Sequence, residues 1–438
     1  MDETHDPERA TWVESARGAT DFPIQNLPFG VFRRRGDDAE PAGVGIAIGS
    51  EVLDVTACHD EGRFTGLAER AAEACAAPSL NLLMALGRDH RLELRRQVSA
   101  LLAEGSPAHR ANRRIGDRIL VPMAEAELLV PATIGDYTDF YASAHHASNV
   151  GSMFRPENPL LPNYKWVPIG YHGRASSIVA SGTQVRRPQG QIKPQGAADP
   201  LYAASRSLDY EMEVGCFVGT GNPLGEPVPI GRAEAHIFGL CLVNDWSARD
   251  VQSWEYQPLG PFLSKSFATS VSPWVVTLEA LEPFRVPAAA RPDGDPAPLP
   301  YLTDESDRRT GGVDIVLEAY LATAQMRARA IPPARLSRSR VAELYWTFAQ
   351  MLAHHTSGGC NLRPGDLFAS GTVSGPGRDA RGCLLELTWR GAEPLALPSG
   401  ETRTFLEDGD EVIMRGRCEG IGAAAIGFGE CRGIVAPA

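Results

Sequence analysis

The chain has 438 residues, enough for two to three domains around a large buried core. Its 44 glycines and 34 prolines argue for short strands and long loops rather than a helical bundle, and a hydrophobic share of 43% excludes a disordered chain. A formal charge of −12 excludes a nucleic-acid coat or an anionic-membrane binder, since nothing would supply the counterion-release energy.

In chain order, residues 1–19 read as a polar tail. The opening MDETHDPERATWVESARGATDF is charged and lacks the apolar run of a signal peptide. From Asp21 the texture changes, and GVGIAIGSEVLDV predicts two short strands about a Gly-Ser turn. Residues 62–115 carry Leu67, Ala71, Ala72 and Cys75, then Leu94, Val98 and Leu101, at helical spacing, with Pro78 dividing two pieces. This gives a first domain over 20–131, β with helical insertions. The second domain, 132–438, has dense short apolar runs bounded by Gly and Pro, which predict mostly antiparallel β. Helices are expected near Asp139 and over 337–355, and a polar loop over 286–298. The fold class expected is mainly β. No apolar run approaches the ~18 residues of a spanning helix, so no membrane partner is expected. The eight cysteines contain no C-x-x-C pair and read as small buried hydrophobes of a cytoplasmic protein.

Several residue types point to chemistry. LDYEMEVGCFVG places Glu211 and Glu213 two apart in a strand-like segment, so both carboxylates project from one face, with Asp209 beside them. Like charges side by side repel, and a bound cation removes the conflict. Oxygen ligands with no Cys or His nearby favour a hard ion such as Ca²⁺ or Mg²⁺. Asp245, ending IFGLCLVND, and Asp139, in DYTDFY, are two further carboxylates at element ends. His146 follows Asp139 by seven residues, close to two helical turns, which puts the two on one side of a helix and His145 about 100° away. His146 is thus the candidate general base. Glu386 in GCLLELTWRG is the candidate partner, on a strand face with Leu384 and Thr388. The segment 244–274 is densest in polar and aromatic residues, with Arg249, Gln252, Tyr256, Lys265 and Thr269 beside Asp245. Lys265 is one of only three lysines among 42 basic residues. A compact ammonium approaches a small oxyanion where a planar guanidinium does not fit. A metal-stabilised scaffold protein is the non-enzyme alternative.

These motifs meet a family. DFPIQNLPFGVF, DYTDFYASAHHASNVGSMFR, GYHGRASSI, SGTQVRRPQGQ, the 244–274 segment, GCNLRPGDLFASGTVSG and TRTFLEDGDEV together resemble the full-length, two-domain fumarylacetoacetate hydrolase family across most of the chain. The resemblance implies an N-terminal SH3-like barrel, a larger C-terminal β-sandwich-like domain and a homodimer. It implies Ca²⁺ held by Asp139, Glu211, Glu213 and Asp245, and a Mg²⁺ near Asp245, Lys265 and Thr269, with Lys265 offering its backbone carbonyl. By position His146 matches the base, with Glu386, Arg249 and Lys265 in support. Tyr141, Arg155, Tyr171, Gln252, Tyr256 and Thr372 match positions that bind the substrate. The implied reaction is hydrolysis of a carbon–carbon bond in a small 1,3-diketo acid.

Overall fold

The computed structural model describes residues 1–36, 41–105 and 109–438. The N-terminal part builds a five-stranded antiparallel sheet in the order Leu120–Pro122, Glu51–Asp54, Gly43–Ile48, Phe29–Arg34, Ala126–Leu128. The strand pair about Gly49-Ser50 forms as its alternation predicts, and Gly49 adopts φ 58°, the left-handed conformation that favours glycine. The helices Leu67–Ala74 and Arg88–Leu102 fill the stretch read as helical, on either side of Pro78.

The C-terminal part is organised by an eight-stranded sheet. Its centre runs Tyr137–Phe140, Leu367–Ala369, Met212–Val218, Ile237–Asp245, Thr269–Val271. Every residue of Met212–Val218 and Ile237–Asp245 is buried, because both faces are covered. One face carries Met212, Val214, Leu240 and Leu242. It packs on a second sheet that contributes Leu317, Ala319, Val412 and Met414. The other carries Tyr137, Phe217, Cys241, Val243 and Leu367, which join the apolar core of the N-terminal part. By the two-residue period of a strand, Asp139, Glu213 and Asp245 belong to this second face. The apolar face ends in carboxylates at one edge of the sheet.

Three expectations are corrected here. Helix and strand take nearly equal shares, 28% and 27%, so the fold is mixed rather than mainly β. The sheet itself is mixed as well: Leu367–Ala369 runs parallel to Tyr137–Phe140, and Thr269–Val271 parallel to Ile178–Ala180. Residues 1–19 are no loose tail. Trp12, Val13 and Ala16 are buried, and the Trp12 indole donates to the Leu101 carbonyl at 2.9 Å. The polar average of the segment hides one apolar anchor. The helix expected over 337–355 divides into a strand, Ala334–Arg340, and a shorter helix, Phe348–Thr356. Thr347 and Gln350 form a reciprocal cap that sets the start of that helix.

Candidate active site

The four carboxylates converge. Asp139, Glu211, Glu213 and Asp245 each offer an oxygen, and these oxygens lie within 4.8 Å of one another in a fully buried cluster. Sheet register brings them together. Asp139 pairs with Ala369, Ala369 with Gly215, and Glu213 with Val243, so adjacent strands deliver three acids to one edge. Asp209, expected on the same face, goes elsewhere. The strand breaks between Leu208–Asp209 and Met212–Val218, and the Asp209 carboxylate accepts the backbone N–H groups of Leu384 and Leu385 at 2.8 and 2.9 Å.

Two cations face the cluster. Lys265 Nζ donates to Asp245 at 2.8 Å and also to Glu211. Arg249 donates to Glu211 at 2.7 Å and to Asp209 at 2.9 Å. Burial works against the Glu211 charge, but Lys265 and Arg249 outweigh it and hold this carboxyl well below the usual range. Asp139 and Glu213 are pushed far up by burial and by the neighbouring carboxylates. Five buried acids, counting Asp209, thus face two bases. Both Glu213 oxygens and Oδ1 of Asp139 lack any hydrogen-bond partner although wholly buried. Unpartnered carboxyl oxygens in an all-oxygen donor set fit a hard divalent cation, which would take the place of the protons that burial favours there. Thr269 and Tyr171 donate to the two oxygens of Asp245 at 2.9 and 2.7 Å, which orients that ligand.

His146 lies in the helix Ala144–Phe154, and its Nδ1 is 2.6 Å from Glu386 Oε2. The expected route to this position is corrected. Asp139 is in a strand, and the helix starts only after Ser143, whose hydroxyl accepts the His146 N–H. No two-turn register exists between Asp139 and His146. Parallel pairing with 367–369 claims the segment for the sheet. Glu386 is likewise not on a strand but in the single helical turn Leu384–Leu387, fully buried. It also accepts from Asn149 and Ser374 at 2.8 Å each, and from the Cys383 thiol at 3.2 Å. Burial pushes the Glu386 carboxyl up, but His146, Asn149 and Ser374 overcome this and hold it at about 2. An ionised Glu386 can only accept, so Nδ1 carries the proton, and in the neutral ring Nε2 is the nitrogen left with a lone pair. His146, Cys383 and Glu386 are close enough to hold a metal. Burial drives the Cys383 thiol far up and keeps it neutral, which suits a hydrogen-bonded pair instead.

The remaining predicted residues divide. The Tyr141 ring stands edge-on to His146 with centroids 5.3 Å apart. Gln252 accepts from Arg249 at 3.1 Å. The Thr372 hydroxyl and Arg249 Nη2 are buried with no partner, two donors available to a ligand. Arg155 ends the His146 helix and donates to the Pro159 carbonyl at 3.3 Å. Tyr256 is exposed at the end of the helix Arg249–Glu255. Neither bonds to the cluster or to Glu386. Sequence reading missed Asn149, Ser374 and Cys383. Asn149 is three residues after His146 on the same helix, a spacing that was legible. Nothing local marks Ser374.

The sequence matches the family described as fumarylacetoacetate (FAA) hydrolase C-terminal over residues 136–435, and the one described as fumarylacetoacetase N-terminal over residues 25–131. A fumarylacetoacetase of Oryza sativa subsp. japonica is 48% identical over 430 residues, covering 98% of this chain and 97% of its own. The fumarylacetoacetase of Homo sapiens is 49% identical over 421 residues, covering 96% and 97%. Among solved structures, a fumarylacetoacetate hydrolase from psychrophilic Exiguobacterium antarcticum covers 94% of this chain and 100% of its own. Its TM-score is 0.50 at 16% identity, a likeness of fold.

Proposed function

The chain belongs to the fumarylacetoacetase family, and we propose that the buried site at the sheet edge is where it hydrolyses 4-fumarylacetoacetate to fumarate and acetoacetate. The observation that carries this is the His146–Glu386 pair, which fixes the imidazole through Nδ1 and leaves Nε2 free of the carboxylate, with the ring close enough to the oxygen cluster to act on the Glu211 charge. His146 Nε2 takes a proton from the water whose oxygen adds to the carbonyl beside the scissile bond, and Glu386 holds the ring and stabilises the imidazolium that forms. As the carbon–carbon bond breaks, the imidazolium returns the proton to the carbon released as acetoacetate. Arg249 Nη2 and Lys265 Nζ supply positive charge where negative charge develops, an effect worth roughly 3 kcal/mol per well-placed donor. Arg155, Tyr141, Tyr171, Gln252, Tyr256 and Thr372 bind and orient the diketo acid. A divalent cation held at this site would supply Lewis acidity to the diketone and to the negative charge that develops on it. Asp139, Glu211, Glu213 and Asp245 would hold it, and the family resemblance supports Ca²⁺ there and a Mg²⁺ near Asp245, Lys265 and Thr269.

We read the N-terminal sheet as the SH3-like barrel of the resemblance and the protein as a cytoplasmic homodimer. Eight free cysteines, seven of them buried, support a reducing compartment. Among the described residues no helix is long and apolar enough to cross a membrane. The test is steady-state hydrolysis, followed as loss of diketone absorbance, before and after exhaustive chelation. Activity should vanish and return with Ca²⁺. Full activity after chelation would refute the metal role.

Lys265 gives a sharper check. Its ammonium bonds two cluster carboxylates in a buried position, where a guanidinium needs more room and brings a different donor geometry. Lys265→Arg should cost nearly as much turnover as Lys265→Met, and a well-tolerated arginine would sink this role.

A further inference from the structure

Glu386 is held by more than the base it serves. Oε1 accepts from Asn149, and Oε2 accepts from His146, Ser374 and Cys383. Ser374 also reaches the other half of the pair. Its carbonyl accepts the Ser143 hydroxyl at 3.0 Å, and Ser143 caps the helix that carries His146. The Gly382 N–H donates to Ser374 Oγ at 3.0 Å, which leaves the hydroxyl proton to point at Glu386. One residue therefore ties the helix start bearing the base to the turn bearing the carboxylate.

The segment around Ser374 does not depend on that hydroxyl for its path. The Val373 N–H donates to the Met212 carbonyl at 2.8 Å, the Gly375 N–H to the Ala380 carbonyl at 2.8 Å, and the Ser339 hydroxyl to the Val373 carbonyl at 2.9 Å. Asn149 is only half-buried, and its amide donates to Glu386. These donors help keep the buried carboxylate ionised, and they do more than that. They fix it in one rotamer, so that it remains an acceptor while the imidazole gains a proton.

We propose that Ser374 and Asn149 are positioning residues of this hydrolase: they lock the Glu386 carboxylate so that His146 keeps its proton on Nδ1 and presents Nε2 to water. The inference rests on the reading of His146 as the base. Neither residue touches the reacting atoms. Losing either should lower kcat and leave substrate binding alone.

The experiment compares Asn149→Ala, Ser374→Ala and His146→Ala with the wild-type holoenzyme. It measures kcat and KM separately, thermal melting, and the strongly downfield proton resonance of a histidine Nδ1–H bonded to a carboxylate. Asn149→Ala and Ser374→Ala should each lose roughly 10-fold or more in kcat, the scale seen when a partner that orients a functional histidine is removed, with KM within about twofold. The downfield resonance should move upfield in both. Wild-type kcat in Asn149→Ala, or in a folded Ser374→Ala, overturns the proposal, and so does a change carried by KM alone. Should Ser374→Ala fail to fold after the Gly382 N–H loses its acceptor, Asn149→Ala decides by the same readings. If His146→Ala keeps its turnover, the base assignment fails. If it loses turnover while the other two keep theirs, only this inference fails.

Discussion

His146→Ala is expected to hydrolyse fumarylacetoacetate roughly 10²–10⁴-fold more slowly than the wild type, the range a positioned general base contributes. His145→Ala should stay close to wild type. The two histidines are adjacent, so the contrast isolates geometry from composition. His146 is buried with Nδ1 against Glu386, whereas His145 is half-buried on the same turn. Removing the imidazole leaves Glu386 with its bonds from Asn149, Ser374 and Cys383, so the turn should keep its place and the protein its fold. None of the four clustered carboxylates bonds to His146, so metal content should be unchanged. Losing a group that acts in the transition state lowers kcat and kcat/KM together. Normal turnover in His146→Ala, or a loss confined to His145→Ala, would overturn the assignment.

Much of this site was legible in the sequence, though not always for the right reason. Glu211 and Glu213 at a two-residue spacing, and Asp245 closing an apolar run, are features that strand geometry makes readable. Their convergence with Asp139 depends on the register of strands far apart in sequence, which no local pattern encodes. The helical register that singles out His146 does not exist in the fold. The segment holding Asp139 pairs into the sheet, and a tertiary ladder overrides the local period. Glu386 was read as a strand residue because four residues cannot distinguish a single helical turn from an alternating strand. The tail was misjudged for a related reason. Burial there turns on Trp12 and its neighbours, and a segment average cannot see them. The lysine count proved informative. Lys165 pairs with Asp295, Lys193 stacks 4.9 Å over the Trp254 ring, and Lys265 alone is buried among carboxylates.

Glu213→Gln should abolish metal binding and activity together, and it should also change stability in opposite directions with and without metal. Glu213 has no exposed surface and no hydrogen-bond partner for either oxygen. In the metal-free protein it adds a fifth buried acid to a cluster answered only by Lys265 and Arg249. Burial and the neighbouring carboxylates push Glu213 far up, so without metal it sits there only at the cost of a bound proton or an unpaired charge. An amide carries neither, and it brings N–H donors toward Asp139, whose Oδ1 is also unpartnered. The chelated variant should therefore melt at a higher temperature than the chelated wild type. With metal present the order reverses. A cation that binds only the folded state stabilises it by about 2.7 kcal/mol at a hundred times its Kd, and the variant forgoes this. The measurement is thermal melting of both proteins across a Ca²⁺ titration, with metal content determined alongside. Equal shifts in wild type and variant would show that Glu213 is no ligand. A chelated variant that melts below the chelated wild type would show that burying this carboxyl does not limit the metal-free fold, because Glu213 then contributes more than its burial costs.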